Sequence, residues 1–257
     1  MEEKLIFINH EKASTYECDA SNNIKLAFFL KKIEETSYLH YYEHGYDYKF
    51  MTQQGQIYLL NSLFIKNKRM PYVGENYTIE TWEEKTEGVI YIRNFLCKDS
   101  NGNVFSSCKT HWILVDFNTH KIIRPKNCIY KQFFLNEEIE VEKIKITAPD
   151  DVEKVCDYTV SYKDLDRYDH MNNTVYCDIT QSVVDFDYKN SFPSEFNIYF
   201  RSEAKLNDII EIKTSTSTNG ILNDSNAEKS YYVGGTNQSG KICFDATIAF
   251  SKNINIF

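Results

Sequence analysis

No stretch of this sequence is long and apolar enough to span a bilayer. The longest apolar runs, such as VIYI and WILV, fall far short of the roughly 20 residues that a spanning helix needs. The start, MEEKLIFINHEK, lacks the basic region followed by an apolar core that marks an export leader. These absences point to a cytoplasmic protein with no membrane association. No C-x-x-C pair is present, and the seven cysteines, an odd number scattered from Cys18 to Cys243, read as reduced, mostly buried thiols rather than a disulfide or zinc framework. An excess of positive charge is also missing. A formal net charge of -8 disfavours a general nucleic-acid binder, because phosphates are held by clustered Lys and Arg, and no helix-turn-helix segment is evident.

What is present is ample material for a core. The 257 residues are 42% hydrophobic and 15% aromatic, enough for one large core or two compact domains. After a short alternating start, NNIKLAFFLKKIEETSYLHYY carries Leu26, Phe29, Leu30 and Ile33 at helical spacing, which predicts one long amphipathic helix behind an Asn cap. GQIYLLNSLFIKNKR, ENYTIETWEEKT, GVIYIRNFLCKD and VFSSCKTHWILVDFN then read as successive strands separated by turn-forming stretches. The same order recurs: MNNTVYCDITQSVVDF as an Asn-capped helix, then EFNIYFRSEA, DIIEIKTSTST, KSYYVGGTNQ and KICFDATIAFSK as strands. Gly74-Glu75 falls opposite Asn207-Asp208, and Gly102 opposite Gly240, when the two halves are laid over one another. The expected organisation is an N-terminal domain over residues 1–126, a partly extended linker over 127–154 with alternating charge, and a C-terminal domain over 155–257. Each helix must bury one face, and a strongly curved antiparallel sheet of its own half is the economical cover.

One stretch stands out chemically. In DLDRYDHMNN, Asp166, Tyr168 and His170 would share one face if the segment were extended, since side chains in a strand alternate sides. A polar loop leading to a helix N-cap accounts for the same ten residues.

Together with RMPYVGENYTIETW, YIRNFLCKDSNGNVFSS, HWILVDFNTHKIIRP and FRSEAKLND, the segment DLDRYDHMNNTVY resembles the acyl-acyl-carrier-protein thioesterase family of plant plastids and bacteria. Five segments in the same order carry the resemblance, which covers nearly the whole chain. It implies an α+β tandem (double) hotdog, two long helices each wrapped by a curved antiparallel β-sheet, with the catalytic residues in the C-terminal half. Carried over position by position, the family's Asp falls on Asp166, its His on His170 and its later Glu on Glu203. Its Asn between Asp and His falls on Tyr168, a departure. Where some members carry a cysteine after the Glu, this chain has Ala204, which excludes a nucleophilic cysteine there. In the first half, Met70 stands opposite Glu203 and the position opposite His170 is near Ala20, so only the second half is expected to hold polar groups at these places.

The implied reaction is hydrolysis of fatty acyl-acyl carrier protein to free fatty acid. A thioester carbonyl is reactive enough for a water activated by a general base, with Glu203 or Asp166 as base. Helical N–H groups near Asn172 and Asn173 would bind substrate by polarising the carbonyl, and His170 would hold water or substrate. Tyr168 is a candidate hydrogen-bonding group in the place of the family Asn. Read singly, Asp166 fits a turn residue, His170 a capping group and Glu203 a solvated strand residue. An acyl-CoA thioesterase and a non-catalytic acyl-thioester-binding protein remain as alternatives on the same fold. No metal or organic cofactor is implied. HYYEH, His40 to His44, matches a zinc-peptidase pattern, but it lies in the helix expected to fill the first sheet, where packing is the better account. The aromatic run YLHYYEHGYDYKF fits an acyl tunnel wall or plain core equally well. The partner implied is acyl carrier protein; such carriers are acidic, so a basic patch is needed, and Lys66, Lys68, Arg69, Lys121, Arg124 and Lys126 are the clustered candidates. A homodimer is compatible with the sequence.

Overall fold

The computed structural model describes residues 5–135, 137–216 and 227–253. The chain forms β1 (Phe7–Lys12), α1 (Leu26–Glu43), the short α2 (Tyr48–Gln53), then β2 (Gln56–Asn67), β3 (Asn76–Glu83), β4 (Ile90–Asp99) and β5 (Val104–Asp116). After a largely irregular crossing come β6 (Glu153–Thr159), α3 (Asn173–Ser182), β7 (Ser191–Phe200), β8 (Ile209–Ser215), β9 (Lys229–Asn237) and β10 (Ile242–Lys252). The last residues of the expected DIIEIKTSTST strand, 217–218, lie outside the described residues. Among the described residues the ten strands belong to one antiparallel sheet in the order β1-β3-β4-β5-β2-β7-β10-β9-β8-β6. Its two halves meet where β2 pairs with β7, from Ser62 opposite Tyr199 to Lys66 opposite Glu195.

The helices sit inside this sheet because of their apolar stripes. In α1, Leu26, Phe29, Leu30 and Ile33 are buried, and the stripe continues through Thr36, Ser37 and His40, a spacing of three and four residues that keeps one face inward. Residues of α1 (Phe29, Ile33), α3 (Tyr176, Cys177), the seam strand β7 (Phe196, Ile198) and β10 (Phe244, Ile248) belong to one continuous core. Burying a side chain of this size is worth about 1.5–3 kcal/mol. The expected Asn cap of α1 is not formed. Asn22 takes a left-handed backbone (φ 62), the Asn23 amide turns to Ser21, and the helix begins after Lys25, whose carbonyl accepts from the Phe29 N–H. In α3 the cap is Asn172, whose Oδ1 accepts from the Thr174 N–H at 2.9 Å.

The internal duplication reaches down to individual hydrogen bonds. Gly74 and Asn207 both take a positive φ (83 and 69), and each half closes the same pair of bonds around it: Gly74 N–H to Ala13 carbonyl and Ala13 N–H to Glu75 carbonyl, against Asn207 N–H to Val160 carbonyl and Val160 N–H to Asp208 carbonyl. A residue with little penalty in the left-handed region is needed at both places, and Gly and Asn are the two that supply it.

Candidate active site

The loop that leads into α3 is built from local polar bonds. Ser161 and Asp164 form a reciprocal capping pair, with the Ser161 N–H and hydroxyl donating to Asp164 Oδ2 at 2.8 and 2.7 Å. Leu165 and Met171 pair across the loop, and Asp166 N–H donates to the His170 carbonyl at 2.8 Å. Inside this ring the Asp166 carboxylate accepts the Tyr168 N–H at 2.7 Å and the His170 N–H at 3.3 Å, while Asp169 turns the chain at φ 59. The segment is therefore a tight loop, not a strand, and Asp166, Tyr168 and His170 do not share a face. Asp166 faces its own loop amides, and the Tyr168 ring packs near Tyr48 and Phe117, centroids 5.7 and 6.4 Å away, with the Arg167 guanidinium 5.2 Å from its own centroid. Burial pushes the Tyr168 phenol up, against the opposing pull of Arg167.

The Met171 N–H donates to the Ala204 carbonyl at 2.8 Å and so ties the loop to the segment after β7. Glu203 stands in that segment, past the end of the strand expected to bear it, where Arg201 and Ser202 N–H both turn to the Cys243 carbonyl. Its carboxylate lies between two imidazoles: Oε2 is 3.1 Å from His170 Nε2, and Oε1 is 3.1 Å from His120 Nδ1. The rings are 5.8 Å apart and nearly perpendicular, at 79°. His120 comes from the other half of the chain. The turn after β5 delivers it, through Asp116 Oδ1 accepting the Asn118 and Thr119 N–H groups at 3.1 and 2.8 Å, and through His120 itself at φ 53. The sequence pattern Asp-x-x-Thr-His signals this turn, but not its reach across the duplication.

Glu34 was also not singled out by sequence. It lies on α1 one turn after Leu30, at the flank of the buried stripe, and lines the same cavity as Asp166 and Asn173. Burial pushes its carboxyl up to about 7; a hydrogen bond from the Asn173 side chain opposes this, the Asp166 charge adds to it, and Lys31 lowers it. Asn173 is thus engaged with Glu34, and the Asn172 side-chain oxygen is spent on the helix cap, also accepting from Thr174 Oγ1 at 2.7 Å. At this helix end the Asn172 N–H is bonded to the Asp164 carbonyl as well.

The two halves explain which of these groups distinguishes the site. Asp19 braces the first-half loop as Asp166 braces the second, accepting the Ser21 and Asn23 N–H groups at 2.9 and 3.2 Å, with Asn22 at φ 62 in the place of Asp169. The Ile24 N–H reaches the Pro71 carbonyl as Met171 reaches Ala204. Met70 is thus the counterpart of Glu203, as expected, but the counterpart of His170 is Asn23, not a residue near Ala20. Polar groups at these places are not confined to the second half. What the second-half position has and its counterpart lacks is His170, Glu203 and space: Asp166, Tyr168, His170, Asn172, Asn173 and Glu203 border a cavity of about 990 Å³ that residues of both halves line. The matching place in the first half, at Asp19, Asn23 and Met70, is closed down to about 10 Å³ by Phe186 and Phe192.

The two histidines of HYYEH face elsewhere, while Tyr41 between them lines the cavity. The Arg93 guanidinium contacts His40 Nδ1 at 2.8 Å, and His44 stacks on Phe133 with centroids 3.9 Å apart. Among the described residues no group of His, Cys, Asp and Glu is arranged to hold a metal ion, all seven cysteines are free, and no helix is long and apolar enough to cross a membrane.

Comparison with known proteins identifies the family and the fold. Residues 5–133 match the family model of the acyl-ACP thioesterase N-terminal domain, and residues 147–252 that of the acyl-ACP thioesterase C-terminal domain. An acyl-ACP thioesterase from Bacteroides thetaiotaomicron superposes with a TM-score of 0.83 over 98% of this chain and 100% of that one, at 19% identity. The 12:0-ACP thioesterase from Umbellularia californica gives 0.75 over 97% and 95%, at 17% identity. No curated protein sequence matches significantly. At such identities the superpositions speak for the fold, a double hotdog, while the two domain models cover most of the sequence. This chain belongs to the acyl-ACP thioesterase family.

Proposed function

We propose that the chain hydrolyses fatty acyl-acyl carrier protein with Glu203 as the general base. The observation that carries this reading is the Glu203 carboxylate held by two imidazoles at 3.1 Å each on the border of a cavity large enough for an acyl chain. With both imidazoles donating, Glu203 keeps lone pairs for a water. It takes one proton from that water as the oxygen attacks the thioester carbon. The oxyanion that develops is met by the positive end of α3, where the Asn173 backbone N–H is the donor beside the engaged ones of Asn172 and Thr174. Collapse breaks the C–S bond, Glu203 passes its proton to the departing thiolate, and a free fatty acid remains. His170 and His120 orient the carboxylate. Asp166 acts one step back: by gripping the loop amides it sets the position of His170. Tyr168 forms wall beside that loop, and the Asn172 side chain fixes the helix whose end meets the substrate.

The carrier docks at the cavity mouth. Lys31, Arg167, Lys205 and Lys241 are exposed and border it, a local positive rim on a chain of net charge -8. Of the basic residues expected to form a patch, Arg69 is tied to Glu75 through both terminal nitrogens. The test is hydrolysis of acyl-carrier and acyl-CoA thioesters by Glu203→Gln, a change that keeps the shape and removes the base. Loss of a general base lowers turnover by on the order of a hundredfold to ten-thousandfold. Turnover within a few-fold of the parent, with unfolding unchanged, would remove Glu203 from the mechanism.

A further inference from the structure

The cavity that starts at Glu203 continues between α1 and the strands of the N-terminal half, and there its wall is unsuited to plain hydrocarbon. Tyr41, Tyr58 and Tyr91 line it, and so do Glu83 and Arg93. Arg93 and Glu83 form a buried ion pair at 2.8 Å, and the guanidinium also donates to Thr81 Oγ1 at 3.3 Å. The Tyr41 hydroxyl donates to Glu83. The Tyr58 hydroxyl accepts from Gln132 Nε2 at 3.1 Å and meets Cys128 Sγ at 3.6 Å. Two of these three tyrosines are therefore held by the protein itself.

Tyr91 is not. It is only 5% exposed, and its ring packs edge-on against Tyr58 with centroids 5.0 Å apart. Its hydroxyl meets no nitrogen or oxygen partner in hydrogen-bond geometry among the described residues; the only side-chain group that engages it is the Cys128 thiol, a weak acceptor that Tyr58 and Gln132 also contact. A buried donor of this kind is costly to leave unsatisfied, and a methylene chain beside it offers no relief. An oxygen atom on that chain does.

We propose that the N-terminal end of the cavity recognises an oxygen-bearing acyl chain, a hydroxyacyl or oxoacyl thioester whose chain oxygen accepts a hydrogen bond from the Tyr91 hydroxyl. The proposal rests on the thioesterase reading and names the class of acyl group. A pocket built to bond a substrate oxygen discriminates against the analogue without it far more than an apolar pocket discriminates by one methylene, because the analogue leaves the pocket group unpaired. The Glu83–Arg93 pair and the Tyr41 hydroxyl bonded to it make the surroundings tolerant of a polar chain without competing for Tyr91.

The test uses the full chain and paired carrier thioesters of equal length, plain and with a hydroxyl or keto group placed at successive positions along the chain. For at least one position kcat/KM should exceed that of the plain chain by about tenfold or more, and Tyr91→Phe should bring that ratio close to one. Plain chains turned over as fast at every length, or a ratio untouched by Tyr91→Phe, would overturn the proposal. Calorimetric titration with the free hydroxy, oxo and plain fatty acids separates the two readings. If no thioester is hydrolysed, the thioesterase reading fails, while tighter binding of the oxygenated acid that Tyr91→Phe removes still upholds the recognition site. Equal binding of the oxygenated and plain acids overturns it.

Discussion

Glu34→Gln should make the protein more stable, and only above a defined pH. In the folded chain burial holds the Glu34 carboxyl up at about 7, against an ordinary value of 4.5. Between those values the native state keeps a proton that the unfolded chain has already released, so unfolding releases a proton and rising pH favours it. The contribution is unpenalised below 4.5, declines through the interval, and is fully lost above about 7. A gap of this size, at about 1.36 kcal/mol for each pH unit, corresponds to about 3 kcal/mol. Glutamine carries no charge to desolvate, can still bond the Asn173 side chain and does not repel Asp166. The variant should therefore match the parent at pH 4 and exceed it by about 1–3 kcal/mol at pH 8, the lower figure allowing for relaxation around the ionised group. For a chain of this size that is a rise of roughly 3–10 °C in Tm. Urea unfolding of both proteins across pH 4 to 8 measures it. An equal difference at both ends of the range, or none at pH 8, would show that Glu34 ionises normally in the fold and that its place against Asn173 and Asp166 is misread.

Two other outcomes follow from the site. Asp166→Asn keeps an oxygen to accept the Tyr168 and His170 amides and should retain kcat within about tenfold, whereas Asp166→Ala releases the loop, lowers kcat further and costs about 1–3 kcal/mol of stability, checked by turnover and unfolding side by side; an Asn variant as inactive as Glu203→Gln would make Asp166 the base. Reversing Lys31, Lys205 and Lys241 together to Glu should raise KM for the carrier-bound substrate several-fold with little change in kcat, and added salt should flatten the difference, because the steering field is screened over a Debye length of about 8 Å at physiological ionic strength; a KM insensitive to both would place docking elsewhere.

Much of the architecture was legible because it is written in short-range patterns. The apolar spacing in α1, the Asn172 cap of α3 and the paired turns at Gly74 and Asn207 each follow from local geometry. The start of α1 was misread because Asn22 and Asn23, good caps by type, are used for a left-handed turn and a side-chain bond instead. Within the candidate site, His170 and Glu203 were named by resemblance, and the structure sets them 3.1 Å apart. His120 was not, since its partner lies 83 positions away across the duplication, and no periodicity links a β-turn in one half to a segment following a strand in the other. For Asp166 the sequence offered both a turn residue and a base, and residue type alone could not separate them, because an acid that bonds two backbone amides looks the same as one that waits for substrate.

The unequal cavities, about 990 Å³ at Glu203 and about 10 Å³ at Met70, bear on how many acyl groups one chain should bind. A repeat with two open sites could bind two acyl groups and let one influence the other through the shared core. Here the second place, beside Phe186 and Phe192, is closed to about 10 Å³, and one acyl group per chain is the expected stoichiometry. Titration should saturate at one equivalent per chain, with a binding curve that shows no cooperative shape.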